Sequence, residues 1–117
     1  MYSVKINIKI HGSSAHGSMP HLSKDAIAAA SYMILSLQTV VSRACNPLNS
    51  AALTFSSVHA GTQFNIITDL AELEGILYAS DEAALESLLG QLQAMAAASA
   101  AVFGCRAEIS CGAKEAA

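Results

Sequence analysis

Charge is what this chain has least of: only 13% of its 117 residues are charged, against about 25% in an average soluble domain. It has six lysines and arginines, a net charge of −3 and no basic cluster. A protein that tracks phosphate backbones needs such a cluster, so nucleic-acid binding is excluded, and electrostatic attachment to an anionic membrane falls with it. The three cysteines, Cys45, Cys105 and Cys111, form no CxxC pair. An odd count excludes a complete disulfide framework and makes a reducing cytoplasm the expected location. No basic stretch followed by an apolar run opens the chain, so no secretory signal is expected. The most apolar run, 26–42, has no charge but is interrupted by Ser31, Ser36, Gln38, Thr39 and Ser42. It falls short of the roughly 20 apolar residues that span a bilayer and reads as a buried helix. Hydrophobic residues nevertheless make up 53% of the chain. Surface with so little charge is expected to be covered by a partner chain or a second domain.

The length fits one domain, and its elements follow from periodicity. Val4, Ile6, Ile8 and Ile10 alternate with Lys5, Asn7 and Lys9 as a strand with one buried face. The segment 12–21 is too rich in Gly, Ser and Pro for regular structure and is expected to be a loop. A helix follows to about Arg43, with Ser23 as N-cap and Asp25 near its positive end. Its core stripe is expected at Ile27, Ala30, Ile34, Leu37 and Val41, with Ala28, Tyr32, Leu35 and Thr39 on a second uncharged flank. Asn46-Pro47 breaks it. A second strand runs through Leu53-Thr54-Phe55-Ser56, and its parity shifts near Ser57-Val58 as at a bulge. A third spans Ile66 to Tyr78, and a second helix starts at Ser80 or Asp81 and stops at Gly104. Cys105, Ala107, Ile109 and Cys111 mark a last strand with its cysteines facing inward. The order β-α-β-β-α-β gives an α+β, ferredoxin-like fold: a four-stranded antiparallel sheet with two helices on one face. Two sheet edges stay open, and no Lys, Arg or Pro protects the one from Leu53 to Ser57.

Candidate chemistry is sparse. His11, His16 and His21 are evenly spaced across the loop, but no carboxylate or thiolate stands at ligand spacing to complete a hydrolytic metal centre. No Gly-x-Ser-x-Gly elbow accompanies the many serines. A single functional imidazole and ordinary loop histidines both stay open on the residues alone.

Several motifs in order carry a resemblance: Gly12-Ser13-Ser14-Ala15-His16-Gly17-Ser18-Met19-Pro20-His21, Asp25-Ala26-Ile27, 37–43, Asn46-Pro47-Leu48, and Gly61-Thr62-Gln63-Phe64-Asn65-Ile66-Ile67-Thr68-Asp69. Together they resemble the dimerisation, or lid, domain of the M20 metallopeptidases and amidohydrolases, nearest the aminoacylase, hippurate hydrolase and indole-acetyl-amino-acid hydrolase branch. The resemblance implies a lid domain over residues 1–112, with 113–117 a linker stub or frayed tail. It implies a fragment that lacks the catalytic zinc- or manganese-binding domain, holds no cofactor itself and is inactive alone. His16 matches the family histidine that reaches into a partner's active site to stabilise the reacting carbonyl, a task suited to an imidazole N–H on a mobile loop. Asn65 matches the asparagine of the Gly-Thr-x-x-Asn segment, a neutral donor for a substrate carboxylate or carbonyl. Two departures stand out: Gly75-Ile76-Leu77-Tyr78 lies where an arginine is often found, leaving the Tyr78 hydroxyl as the possible substrate contact, and Thr68 replaces the usual proline.

The implied partner is a second copy of the chain. The seam is expected along Ala28, Tyr32, Leu35 and Thr39 of the first helix and the strand edge Leu53, Thr54, Phe55 and Ser56, in a closed isologous dimer. The implied substrate class is an N-acyl amino acid or small peptide. Since a ferredoxin-like fold specifies no function by itself, a small-molecule-binding regulatory module and a structural dimerisation domain of a non-catalytic relative are the alternatives.

Overall fold

The computed structural model describes residues 1–116. Strand β1 (Tyr2–His11) leads to a two-residue strand β2 (Ala15–His16) and a 3-10 turn at Pro20–Leu22. Helix α1 (Ala26–Thr39) passes into a π-helical turn at Val40–Ala44. Then come β3 (Ala51–Ala60), β4 (Ile66–Ile67), β5 (Leu70–Ala79), α2 (Glu82–Val102), β6 (Arg106–Cys111) and β7 (Glu115–Ala116).

The long strands form one antiparallel sheet in the order β3-β5-β1-β6, and both helices cover the same face, as the alternation of the sequence implies. The isoleucine stripe of β1 and Leu73 and Leu77 of β5 are buried beneath Ala29, Met33 and Leu37 of α1 and Leu85, Leu92 and Ala96 of α2. The other sheet face carries Lys5, Lys9, Glu74, Arg106 and Glu108, all exposed. The parity shift near Ser57 is a bulge: Phe55 pairs with Gly75, and after the irregularity Ser57 pairs with Glu74.

Four expectations change. The α1 core stripe is Ala26, Ala29, Ala30, Met33, Leu37 and Val40, while Ile27 is 45% exposed. An uncharged helix offers no polar face to fix its rotation from sequence, and small alanines let the backbone sit close to the sheet. The N-cap is Asp25, whose Oδ1 accepts from the Ile27 and Ala28 N–H groups at 3.0 and 3.1 Å; the Ser23 hydroxyl instead donates to the Pro20 carbonyl. The span from Ile66 to Tyr78 is two strands, because Thr68 turns the chain: its Oγ1 accepts from the Leu70 N–H at 3.3 Å. Cys111 is exposed; its sulfur lies 3.8 Å from Gln93 Nε2, on the helix side, but at a strand end that α2 leaves uncovered.

In the segment read as tail, Glu115 and Ala116 pair with Ser3 and Tyr2; Ala117 lies outside the described residues. The segment Ala26–Ala44 is long and apolar enough to pass as a membrane span by composition, yet Ala26, Ala29, Ala30, Met33, Leu37 and Val40 pack into the core.

Two glycines test this packing in opposite directions. A Cβ at Gly12 would stand 2.0 Å from the Lys24 carbonyl oxygen, so Gly12→Ala should destabilise by about 1–3 kcal/mol, as overpacking does. Gly90, inside α2, has nothing within 4 Å of a Cβ, so Gly90→Ala should stabilise by roughly 0.5–1 kcal/mol. Urea unfolding of both variants measures the two signs.

Candidate functional site

The loop that follows β1 is built as a closed unit. Gly12 donates its N–H to the Asp69 carbonyl at 2.8 Å, and Ser13 and Lys24 exchange backbone hydrogen bonds at 2.9 and 3.1 Å, so the loop begins and ends at one point. The Ser13 hydroxyl oxygen also accepts from the Lys24 N–H. Within this frame His16 pairs with Ile66 and Ala15 with Ile67, joining β2 and β4 in a separate two-stranded sheet. The Gly17 N–H donates to the Asn65 carbonyl at 2.8 Å.

Two candidates distant in sequence, His16 and Asn65, are therefore neighbours on paired backbone. Both side chains are exposed. Asn65 uses its carbonyl rather than its amide to hold the loop, so the amide is not consumed as the local turn cap that its residue type allows. A β-turn closed by the Met19 N–H on the His16 carbonyl at 2.8 Å folds the chain back over the imidazole. Nδ1 accepts from the Ser18 N–H at 3.1 Å and lies 2.7 Å from the Ser18 hydroxyl. Sequence reasoning passed over Ser18; its position two residues after His16, where a side chain can take an N–H in an Asx-like turn, was the available signal.

Other candidates lie apart. Tyr78 pairs with Ser3 near the chain ends, whereas Leu70, at the other end of β5, pairs with His11. Eight residues of strand separate those ends by about 27 Å, so no small ligand touches both Tyr78 and His16 of one chain. His11 is engaged with Glu108 Oε1 at 3.0 Å. His21 sits exposed in the 3-10 turn. Among the described residues no three of His, Cys, Asp and Glu come together as metal ligands. The donor set does not fit a hydrolytic metal. Burial pushes the Cys105 thiol up, the Asp25 charge adds to this and Lys24 opposes it, which keeps the sulfur protonated and a poor nucleophile.

The expected seam residues divide between two sides of α1. Tyr32 packs edge-on against Phe103, with ring centroids 5.7 Å apart, and the Thr39 hydroxyl lies 3.3 Å from Met95 Sδ, so both face α2 within the chain. Leu35 is 73% exposed and Ala28 half-buried. Ile27 borders the end of β3, its Cδ1 3.7 Å from where a Gly61 Cβ would stand. On β3, which is an edge of the sheet, Leu53 is buried in the core, Phe55 half-buried, and Thr54 and Ser56 exposed.

Comparison with known proteins agrees with this architecture. The chain is 37% identical over 105 residues to the N-acetyldiaminopimelate deacetylase of Anoxybacillus flavithermus, covering 90% of this chain and 28% of that protein. Among solved structures, a provisionally assigned aminohydrolase from methicillin resistant Staphylococcus aureus superposes with a TM-score of 0.90 at 30% identity, over 94% of this chain and 29% of that one. The Bacillus subtilis YxeP protein, a dinuclear metal-binding peptidase of the M20 family, matches with a TM-score of 0.68 at 28% identity, over 93% of this chain and 25% of that one. The chain thus spans under a third of the length of these relatives. Residues 2–103 match the family described as the peptidase dimerisation domain, M20_dimer, and the chain belongs to that family.

Proposed function

We propose that this chain is the dimerisation and lid domain of a metal-dependent M20 amidohydrolase or peptidase acting on N-acyl amino acids or small peptides in the cytoplasm, and that it contributes a hydrogen-bonding imidazole, His16, to the reaction. The observation that carries the proposal is the pairing of β2 with β4, which sets Ile66 opposite His16 and holds the Asn65 backbone against Gly17, so that both candidates lie exposed on one outlying unit. The deacetylase relative, whose name specifies an N-acetylated amino acid, supports the substrate class. Three unpaired cysteines suit a reducing compartment.

In this proposal zinc or manganese is held by polypeptide outside this chain, and the residues here bind and orient. His16 donates toward the carbonyl oxygen on which negative charge develops, and the Asn65 amide donates to a substrate carboxylate or carbonyl. The body measures 48 Å along its longest axis. Tyr2 and Ala116 pair at one end of β1, and the loop with His16 leaves the other. Ten strand residues span about 30 Å, which sets the loop with His16 at the far end of the body from β7.

The partner in this proposal is a second copy, joined along the β3 edge and the neighbouring flank of α1. Because Tyr32 and Thr39 are engaged on the α2 side, the free flank is best described by Ile27, Ser31, Leu35 and Gln38, which are exposed and recur at helical spacing.

His16→Ala in the full-length enzyme should reduce turnover by about 10²–10³-fold, the usual loss of one preorganised oxyanion donor, with unchanged thermal stability because the side chain is exposed. Steady-state kinetics beside a thermal melt checks both, and unaltered turnover would remove His16 from the reaction. For the seam, Leu35→Glu should raise the dimer dissociation constant by roughly 100-fold or more, since it buries an unpaired charge, while leaving the monomer fold intact. Sedimentation equilibrium of both forms decides, and an equally tight dimer would move the interface elsewhere.

A further inference from the structure

We infer that Ser18 is a positioning residue that fixes His16 in one tautomer, with the proton on Nε2, so that the neutral imidazole can donate outward but can neither accept a proton there nor ligate a metal. The inference rests on the functional assignment of His16 and deepens it, because it separates three roles a histidine could take.

A backbone N–H can only donate. The Ser18 N–H lies 3.1 Å from His16 Nδ1, so Nδ1 must present its lone pair, and in a neutral ring the single proton then sits on Nε2. The Ser18 hydroxyl, 2.7 Å from the same nitrogen, donates as well, since Nδ1 has no proton to give it. Both donors come from one residue. They are held by the turn in which the Met19 N–H closes on the His16 carbonyl, while the Gly17 N–H is tied to Asn65. The frame is fixed at its base by the mutual hydrogen bonds of Ser13 and Lys24.

The consequence is directional. With Nδ1 occupied from within the loop, the group left facing solvent is Nε2–H. A general base at this position would need a lone pair on Nε2, and a metal ligand would need the same. Neither is present in this tautomer. A donor aimed at developing negative charge needs the proton where the loop puts it. The Ser18 hydroxyl can donate to Nδ1 or accept from it, so the bias comes from the backbone N–H, and removing the hydroxyl should leave it in place.

The test is a two-bond ¹H–¹⁵N correlation spectrum of the ¹⁵N-labelled 117-residue chain at alkaline pH, for the unsubstituted protein, Ser18→Ala and Ser18→Pro. His16 should show the Nε2–H pattern with an unprotonated Nδ1, at an Nε2–H to Nδ1–H ratio about fivefold above that of His21, the worth of one neutral hydrogen bond; His21, exposed in the neighbouring turn, serves as the internal reference. Ser18→Ala keeps the backbone N–H and should keep the ratio, whereas Ser18→Pro removes the N–H and should bring the ratio down to that of His21. A dominant Nδ1–H form, a His16 ratio no higher than that of His21, or a ratio in folded Ser18→Pro equal to that of the unsubstituted chain overturns the inference. Backbone amide spectra show whether each variant is folded. Activity of the full-length enzyme then distinguishes this inference from the one beneath it. If His16 holds the raised ratio and His16→Ala leaves turnover unaltered, the tautomer assignment stands and the catalytic reading of His16 fails. If His16→Ala abolishes turnover and the His16 ratio equals that of His21, the reverse holds.

Discussion

Ten consecutive residue pairs lock β1 against β5, from Tyr2 with Ala79 to His11 with Leu70, and the rest of the molecule is arranged by that register. On its other side β1 holds β6 and the short β7. Side chains alternate across a strand, so one register puts the isoleucines of β1 under both helices and its lysines on the open face. A slip of one residue would exchange the two sets. The same strand delivers the chain to Gly12, where the Lys24 carbonyl approaches too closely for any Cβ. The loop carrying His16 can close at its base only because the central strand ends there, on a residue without a side chain.

Much of this was legible because the signals are local. The alternation in β1 and β5 reports a half-buried sheet, the parity break at Ser57 reports the bulge, and Asp81 announces α2, where its Oδ1 accepts from the Ala84 N–H at 2.7 Å. The failures are equally physical. The rotation of α1 was misjudged because Ala26, Ala29 and Ala30 are buried as spacers rather than as bulk, and a helix without charge has no polar stripe to oppose its core. The division of β4 from β5 was hidden because Thr68 is itself a good strand former; its turn depends on a hydroxyl contact that periodicity does not register. Cys111 has the inward parity expected of it, but parity says which face a side chain takes, not whether a helix extends far enough to cover it.

The site was legible in a different sense. Nothing in the periodicity distinguishes His16 from His11 or His21, and only the resemblance of its surrounding motif singled it out. That Asn65 stands beside it is a non-local fact, created by the pairing of two strands of two residues each, far below the length at which alternation can be read. Ser18 escaped notice because a serine in a Gly- and Ser-rich loop is ordinary, and its role consists in where its N–H points.

The shortage of charge now has a location. Lysine and glutamate gather on the open sheet face, in the loops and tail, and in the first turns of α2 as Glu82 and Glu86, whereas α1 carries none from Ala26 to Thr39 and the exposed side of α2 after Glu86 is Ser, Gly, Gln and Ala with Val102. Ile27, Leu35 and Val102 remain exposed in this layer. The apolar excess is thus concentrated on the helical layer rather than spread over the molecule, and on the α1 side it runs beside an edge strand whose N–H and C=O groups face outward without a charged guard. Burying both features in one contact would satisfy the backbone and the side chains together. That contact lies along the flank of the body, leaving free the tip that bears His16, so that in the proposed enzyme joining two chains and reaching across to the partner's reaction centre are consequences of one geometry.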